Sequence, residues 1–476
     1  MKELQRKTKI ICTIGPASRN EETIRKLFLA GMNAGRFNFS HGTHEIHEAS
    51  MALFRKVRDE LGVPGAILLD TKGPEIRVKS FKDGSAVIND GSEFTLTTED
   101  VEGNDQICSV TYPHLAADVK AGDHILIDDG KIMLGVLGTT DTEVRTRVLH
   151  GGVIKDNKGI NIPDVNLKLD YLSEKDKSDI LFGIEQGIDF IAASFTRTGD
   201  DVQSLRDFLE VNGGSDIKII SKIESTQGIQ NFEEILKLSD GIMVARGDMG
   251  VEVPFERLPG IQKRFIKRCV QSGKIVITAT QMLESMTTSP VPTRAEITDV
   301  ANAVFDGTSC VMLSGETAAG DFPVESVEAM AKIAIQAEND RRTVLGPEQI
   351  WHEMDRTDVT NAVAHAACTL AEDLNAASIL AITHSGFTAR RIAKFHPSVP
   401  VIGAAPTEKT YHQLSMEWGV YPLRTEYKDR LLELYRHCAD RACDEGLVEA
   451  GDLLVITAGV PMGKSGDTNM IRVLKA

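Results

Sequence analysis

Two apolar runs set the frame. At 217–220 and 242–245 nearly every position is apolar, as in strands buried on both faces of a parallel sheet. Each run stops abruptly in charge: Lys222 and Glu224 follow the first, Asp248 the second. Between them, 230–238 has a helical period and length enough for a right-handed crossover. That connection predicts both strand ends on one edge of the sheet, with Glu224 and Asp248 converging beside Lys222. Two carboxylates and an ammonium at one edge suit a divalent cation and an anionic substrate. The alternative is a surface ion-pair cluster, but charges that abut buried strands are seldom solvated decoration.

The pattern repeats along the chain. Short apolar runs near Ile11, Gly35, Ile67, Phe190, Ile219, Met243, Val276 and Val311 predict eight strands outside one interruption. A helical stretch follows each except the third. There, from about 74 to 167, short alternating runs (76–81, 85–88, 93–97, 106–110, 124–127, 134–137, 143–148) are separated by Asp-Gly, Gly-Asp and Gly-Gly turns. They predict a small inserted β domain, a barrel, with no helix. Eight βα units predict a (β/α)8 barrel with an insertion after strand 3, its working face at the C-terminal strand ends. In the stretch 255–271, Pro259-Gly260 is expected to interrupt the start of a helix. After a polar linker at 346–358, a second βα series predicts an open doubly wound α/β domain. The expected boundaries are 1–71 with 169–345 for the barrel, 72–168 for the insert and 346–476 for the C-terminal domain.

Charge narrows the function. Lys and Arg number 53 against 69 Asp and Glu, a net −16, which argues against nucleic acid as the partner. An anionic small substrate fits if cations are gathered locally. Seven scattered cysteines match no zinc or redox spacing and read as reduced thiols of a cytoplasmic protein. No stretch reads as a signal-peptide core or a membrane span.

Other clusters fall at strand ends. Arg36, Asn38 and Ser40 alternate after the second strand and so face one side, into the barrel mouth. Arg36 suits a phosphate or carboxylate. Asn38 and Ser40, with Asp70 and Thr71 on the next strand, offer oxygens with one formal charge, which suits a monovalent cation; the alternative is a hydrogen-bonded cap. His41, His44 and His47 sit three apart at a helix start, and a solvated helix face is expected there rather than a metal site. Gly463-Lys464-Ser465 is excluded as a nucleotide P-loop: Gly459 lies one residue too close and a strand follows. The turn holding Thr383, Ser385, Gly386 and Thr388 reads equally as a phosphate site or as ordinary helix capping.

Seven segments together resemble the pyruvate kinase family: 9–16 (KIICTIGP), 36–42 (RFNFSHG), 69–77 (LDTKGPEIR), 221–224 (SKIE), 243–248 (MVARGD), 278–286 (TATQMLESM) and 312–317 (MLSGET). They run through the barrel in order. One departure is Gly35, where the family usually has a larger apolar residue; a small packing change beside Arg36 is expected. The resemblance implies phosphoryl transfer from phosphoenolpyruvate to ADP, giving pyruvate and ATP. It implies that Glu224 and Asp248 hold Mg2+ or Mn2+, and that Asn38, Ser40, Asp70 and Thr71 hold K+. Lys222 would be the catalytic ammonium, Arg36, Gly247, Asp248 and Thr280 would meet the substrate, and Arg77 and Lys158 the nucleotide. Thr280, with Ser314 or Glu316, is the candidate network for proton delivery. Glu75 is the acidic residue that accompanies K+ dependence in the family. The insert would be a lid, the C-terminal domain an effector domain with a phosphorylated ligand at Thr383–Thr388, and the assembly a homotetramer. Two rivals stand beside it. A Mg2+-dependent carbon–carbon lyase needs neither the Asn38/Ser40/Asp70 cluster nor a nucleotide lid. A non-catalytic sensor would be expected to lose Lys222 or a metal carboxylate.

Overall fold

The structure is a computed structural model that describes residues 6–165, 167–345, 357–460 and 466–476. Residues 346–356 of the expected linker and the Gly463-Lys464-Ser465 stretch lie outside those residues. Strands β1 (Lys9–Thr13), β2 (Ala34–Asn38) and β3 (Ala66–Asp70) open the barrel. The insert follows with β4 (Ile76–Arg77), β5 (Ser85–Ile88), β6 (Glu93–Thr97), β7 (Ile107–Ser109), β8 (His124–Ile127), β9 (Ile132–Thr139), β10 (Glu143–His150), β11 (Gly152–Lys155) and β12 (Gly159–Asn161). The barrel resumes with β13 (Phe190–Ala193), β14 (Lys218–Ile223), β15 (Gly241–Ala245), β16 (Ile275–Ala279) and β17 (Cys310–Leu313). The C-terminal sheet holds β18 (Ser378–Ile382), β19 (Val401–Ala405), β20 (Val420–Arg424), β21 (Leu453–Ala458) and β22 (Met470–Lys475).

The eight barrel strands close in the order β1-β17-β16-β15-β14-β13-β3-β2, all neighbours parallel. Alternation sorts their side chains. Ile11, Ala34, Leu68, Ala192, Ile220, Met243, Ile277 and Met312 fill the interior, while Ile10, Cys12, Phe37, Leu69, Ile219 and Val244 pack outward against the helices. Gly35 belongs to the outer set. A Cβ there would lie 2.7 Å from the Phe54 ring, so Phe54 fills the space a larger residue would take.

Helix ends follow local chemistry. Asn20 Oδ1 accepts from Thr23 N–H (2.8 Å) at the start of Glu21–Ala30. Thr293 and Glu296 form a reciprocal capping box at Arg294–Asp306. The stretch around Pro259 is interrupted at its start, as expected: a 3-10 turn, Phe255–Arg257, precedes the α-helix Leu258–Ser272. Pro259 stands in the first turn of that helix, where its missing N–H leaves no bond unmade. The crossover between β14 and β15 is two short helices, Thr226–Gln230 and Phe232–Leu238.

The insert is a curled seven-stranded sheet in the order β4-β12-β8-β9-β10-β6-β7, with β11 paired to β5. A bridge from Val78 to Val110 joins its two ends, which closes the predicted barrel. One helical turn, Leu115–Asp118, lies within it, contrary to the expectation of none; four residues are too few to carry a period.

The C-terminal sheet runs β20-β19-β18-β21-β22, with β22 antiparallel at the edge. Its faces carry separate cores, Ile379, Val401 and Val455 on one and Leu380, Ile402 and Ile456 on the other, as in a doubly wound domain. This domain plugs the barrel's N-terminal mouth. Met416 joins the barrel interior, and its carbonyl accepts from Cys310 Sγ at 3.2 Å. Ser415 and Gln413 bond the carbonyls of Asn33 and Asp189.

Candidate active site

The alternation that fills the barrel also builds its rim. Ala34 points inward, so Arg36 and Asn38 do too. Leu68 aims Asp70, Ala192 aims Ser194, and Ile220 aims Lys222 and Glu224. β14 extends to Ile223, so Lys222 lies within the strand rather than after it, and the strand fixes its direction.

The result is a buried ion cluster. Asp70 is inaccessible to solvent, Glu224 is 1% and Lys222 9% exposed. Asp70 Oδ2 accepts from Arg36 Nε (2.6 Å) and Oδ1 from Lys222 Nζ (3.1 Å). Lys222 Nζ also lies 3.0 Å from Glu224 Oε1 and donates to Ser194 Oγ at 2.7 Å. Burial opposes every one of these charges. Asp70 is nonetheless held below the usual carboxylate range by Arg36 and Lys222. Lys222 is held above the usual lysine range because Asp70 and Glu224 outweigh its burial. Glu224 goes the other way, up to about 7: burial and the nearby Asp248 outweigh Lys222. Asp248, in the first turn of the helix Arg246–Glu252 that follows β15, is raised by burial, with Lys222 opposing. Two adjoining carboxylates that resist ionisation are an oxygen donor set short of positive charge, and a divalent cation fits it.

Loops at the rim are strained. Phe195, Thr280 and Gln281 have φ of 52°, 69° and 53°, a region that costs a non-glycine residue on the order of 1 kcal/mol. Strain at Phe195 aims its N–H at Glu224 Oε2 (2.6 Å). Thr280 Oγ1 accepts from Gly247 N–H (2.9 Å) and donates to its neighbour's carbonyl. Neither Ser194 nor Phe195 stood out in the sequence beyond ending a strand. Glu316 is fully buried, and its two oxygens accept the N–H groups of Leu283 and Ser314. It braces those loops and has no bond to Thr280.

The remaining candidates divide. Asn38 Oδ1 accepts from Ser40 N–H (3.1 Å), and Thr71 Oγ1 accepts from Ser194 N–H (3.1 Å), so the four oxygen-bearing residues stand on adjoining strand ends. Arg77 and Lys158 face a cleft of about 510 Å3 between insert and barrel, which Asp248 also lines. There Arg77 pairs with Glu75 and Lys158 with Asp128 (2.7 Å). Asn161 of β12 donates to Glu252 of the barrel (3.2 Å) across the same cleft. The histidines correct the sequence reading. His47 is buried, stacks on Phe39 at 4.0 Å and bonds the His41 carbonyl, while His44 reaches Asp179 (2.7 Å) and stacks on Phe182. His47 is thus a packed side chain and His44 a half-buried one, while His41 is exposed as expected. In the C-terminal turn, Thr383, Gly386 and Thr388 are buried and Thr388 accepts from Thr468 (3.1 Å); Thr383, Ser385 and Thr388 nonetheless line one cavity, and Gly386 does not. Among the described residues no helix is long and apolar enough to cross a membrane.

Fold and rim together define a (β/α)8-barrel enzyme with a lid-like insert and a buried cation–carboxylate cluster at its C-terminal face. Two family models match the chain: the pyruvate kinase barrel domain over residues 5–327 and the pyruvate kinase alpha/beta domain over 361–474. A pyruvate kinase of Clostridium acetobutylicum is 46% identical over 471 residues, 98% of this chain and 99% of that one. One of Geobacillus stearothermophilus is 47% identical over 474 residues, 99% of this chain and 80% of that one. The crystal structure of a pyruvate kinase from Cryptosporidium parvum superposes with a TM-score of 0.94 at 39% identity, covering 99% and 96% of the two chains. The chain belongs to the pyruvate kinase family, and so to the phosphotransferases.

Proposed function

We propose that the chain moves the phosphoryl group of phosphoenolpyruvate to ADP, giving pyruvate and ATP, with Mg2+ or Mn2+ and with K+. The observation that carries this is the ammonium of Lys222, held charged between Asp70 and Glu224 beside a second metal-type carboxylate, Asp248. Phosphoryl transfer passes through a loose, highly charged transition state, and catalysis is chiefly positioning and charge stabilisation. Lys222 meets the moving phosphoryl group and the enolate it leaves. Arg36, fixed by Asp70 and by Thr13 (3.0 Å), binds the substrate's phosphate oxygens. Gly247 and Thr280 flank the substrate carboxylate. Glu224 and Asp248 would hold Mg2+, which would supply positive charge to the anionic substrate. Asn38, Ser40, Asp70 and Thr71 would hold K+. Arg77 and Lys158 exchange their carboxylate partners for the phosphates of ADP as the insert closes and excludes water. The lyase reading leaves this cleft and the oxygen cluster unused.

The C-terminal turn at Thr383–Thr388 binds a phosphorylated effector through Thr383, Ser385 and Thr388, in a cavity that Tyr427 and His384 also line. The working form is a cytoplasmic homotetramer, by analogy with the family. Its seven cysteines are all free, as a reducing compartment requires.

The test is ATP formation from phosphoenolpyruvate and ADP with Mg2+, with and without K+. Turnover is expected to need both ions, because Glu75 supplies no positive charge in place of K+. Equal activity with only large organic monovalent cations would remove the K+ assignment. Absence of ATP under every ionic condition would remove the reaction.

A further inference from the structure

Between Ala245, the last residue of β15, and the rim residues Gly247 and Asp248 stands Arg246, the first residue of the helix Arg246–Glu252. Its side chain is only 11% exposed, and its guanidinium ties three elements together. Nη1 meets both carboxylate oxygens of Asp299, each at 2.7 Å, on the helix Arg294–Asp306. Nε donates to the Ala279 carbonyl at the end of β16 (3.1 Å), and Nη2 to the Thr280 carbonyl (2.6 Å). Gly247 N–H adds a bond from the same helix start, to Thr280 Oγ1 (2.9 Å).

The two carbonyls that Arg246 holds open the strained turn. Thr280 and Gln281 are left-handed, with φ of 69° and 53°, and Thr280 is β-branched, for which that region is especially unfavourable. Such a turn persists only where its surroundings over-determine it. A rigid, charged fork fixed from behind by a carboxylate does so. The same bonds bear on the hydroxyl. Thr280 Oγ1 gives its one proton to the Ala279 carbonyl (2.6 Å), so in this arrangement it has none for a substrate. Ala279 is inaccessible to solvent, and a buried carbonyl stripped of its donor is costly. Here the carbonyl keeps Arg246 Nε when the hydroxyl swings away, so the move orphans nothing.

We infer that Arg246 is a positioning residue: it fixes the Ala279–Thr280 turn and satisfies the Ala279 carbonyl, which releases the Thr280 hydroxyl to donate to the substrate's carboxylate. This rests on phosphoenolpyruvate being the substrate, and it adds how that carboxylate is met. Asp299 acts through Arg246, as the anchor of its fork. The metal carboxylates are held by other means. Glu224 follows β14, and the far end of the Asp248 helix is tied separately, since Glu252 accepts from Thr226 N–H (3.3 Å) and its carbonyl from Thr226 Oγ1 (3.2 Å).

Calorimetric titration of phosphoenolpyruvate into the full chain, with Mn2+ and without ADP, tests this with no turnover. Arg246→Lys keeps the charge but cannot span a carboxylate and two carbonyls. It should weaken phosphoenolpyruvate about tenfold, while Mn2+ alone binds within about twofold of the wild type. In the ATP assay its KM for ADP should stay unchanged. Thr280→Val should weaken the substrate too, and adding Arg246→Lys to it should cost less than about threefold more, because the arginine acts through the threonine. Should Arg246→Lys not fold, Asp299→Asn, at a side chain 36% exposed, takes its place, with an expected loss of about threefold. Wild-type affinity for phosphoenolpyruvate in whichever variant folds, or full additivity with Thr280→Val, would overturn the assignment. So would an equal loss of Mn2+ affinity, which would mean damage to the whole rim. A wild type that does not bind phosphoenolpyruvate would instead remove the substrate reading, and this inference with it.

Discussion

The two ends of the barrel bury cations in opposite ways. At the C-terminal rim, Lys222 and Arg36 are neutralised by side-chain carboxylates, Asp70 above all. At the N-terminal face, buried and half-buried cations bond backbone carbonyls. Lys9 donates to Val420 (2.6 Å), Lys7 to Pro397 and Ser398, and Lys274 to Lys237 (2.9 Å) and Ser239. A carbonyl offers a partial charge and a carboxylate a whole one, so the outcomes diverge. Lys222 stays above the usual lysine range, while burial takes Lys9 down to about 7 and Lys274 to about 8. One end therefore keeps a permanent charge where chemistry can use it. The other uses ammonium groups as ties, Lys7 and Lys9 between barrel and plug and Lys274 within the barrel, with Lys9 and Lys274 held less firmly in the charged form.

Substitutions should separate the two ends. Lys222→Met is expected to lower kcat by about a thousandfold or more in a chain that still folds, read by ATP formation and by calorimetry; comparable turnover would take Lys222 out of the mechanism. Asp70→Asn leaves two buried cations short of their anion. It should cost about 3 kcal/mol of stability and about a hundredfold in kcat, whereas a variant as stable as the wild type would mean that the cluster is not held by Asp70. Lys9→Met should leave kcat within about twofold and cost about 1–3 kcal/mol through the orphaned Val420 carbonyl.

The last variant also carries a pH signature. With the folded pKa of Lys9 near 7 and the unfolded one at 10.5, the unfolded chain binds more protons between those values. The Lys9 contribution is thus full above pH 10.5 and is lost as pH falls towards 7, with a slope of about 1.4 kcal/mol per pH unit. Lys9→Met should remove that slope from unfolding free energies measured between those limits. An unchanged slope would place the proton elsewhere.

Much of the rim was legible because strands obey a strict period of two. Once the runs around Ala34, Leu68 and Ile220 are read as strands, Arg36, Asp70, Lys222 and Glu224 must face the mouth. What escaped depends on tertiary packing or on single dihedral angles. Nothing local announces that Phe195 takes a left-handed conformation to reach Glu224, or that Ser194 links Asp70 to Lys222. His44 stacks on Phe182 of a helix far away in sequence, and His47 on Phe39 at the end of β2, contacts that their spacing of three does not announce, so it read as a solvated face. The plug at Met416 was invisible for the same reason: its apolar side chain fits a continuous helix as well as a barrel mouth.

The central claim is that Glu224 and Asp248 act together as the rim's cation-holding pair beside Lys222. Titration of Mn2+ followed by the loss of its free electron paramagnetic resonance signal tests it without any turnover. The wild type should bind Mn2+ at the rim, Lys222→Met should retain it, and the double variant Glu224→Gln with Asp248→Asn should weaken it by about tenfold or more. Undiminished Mn2+ affinity in the double variant would contradict the account.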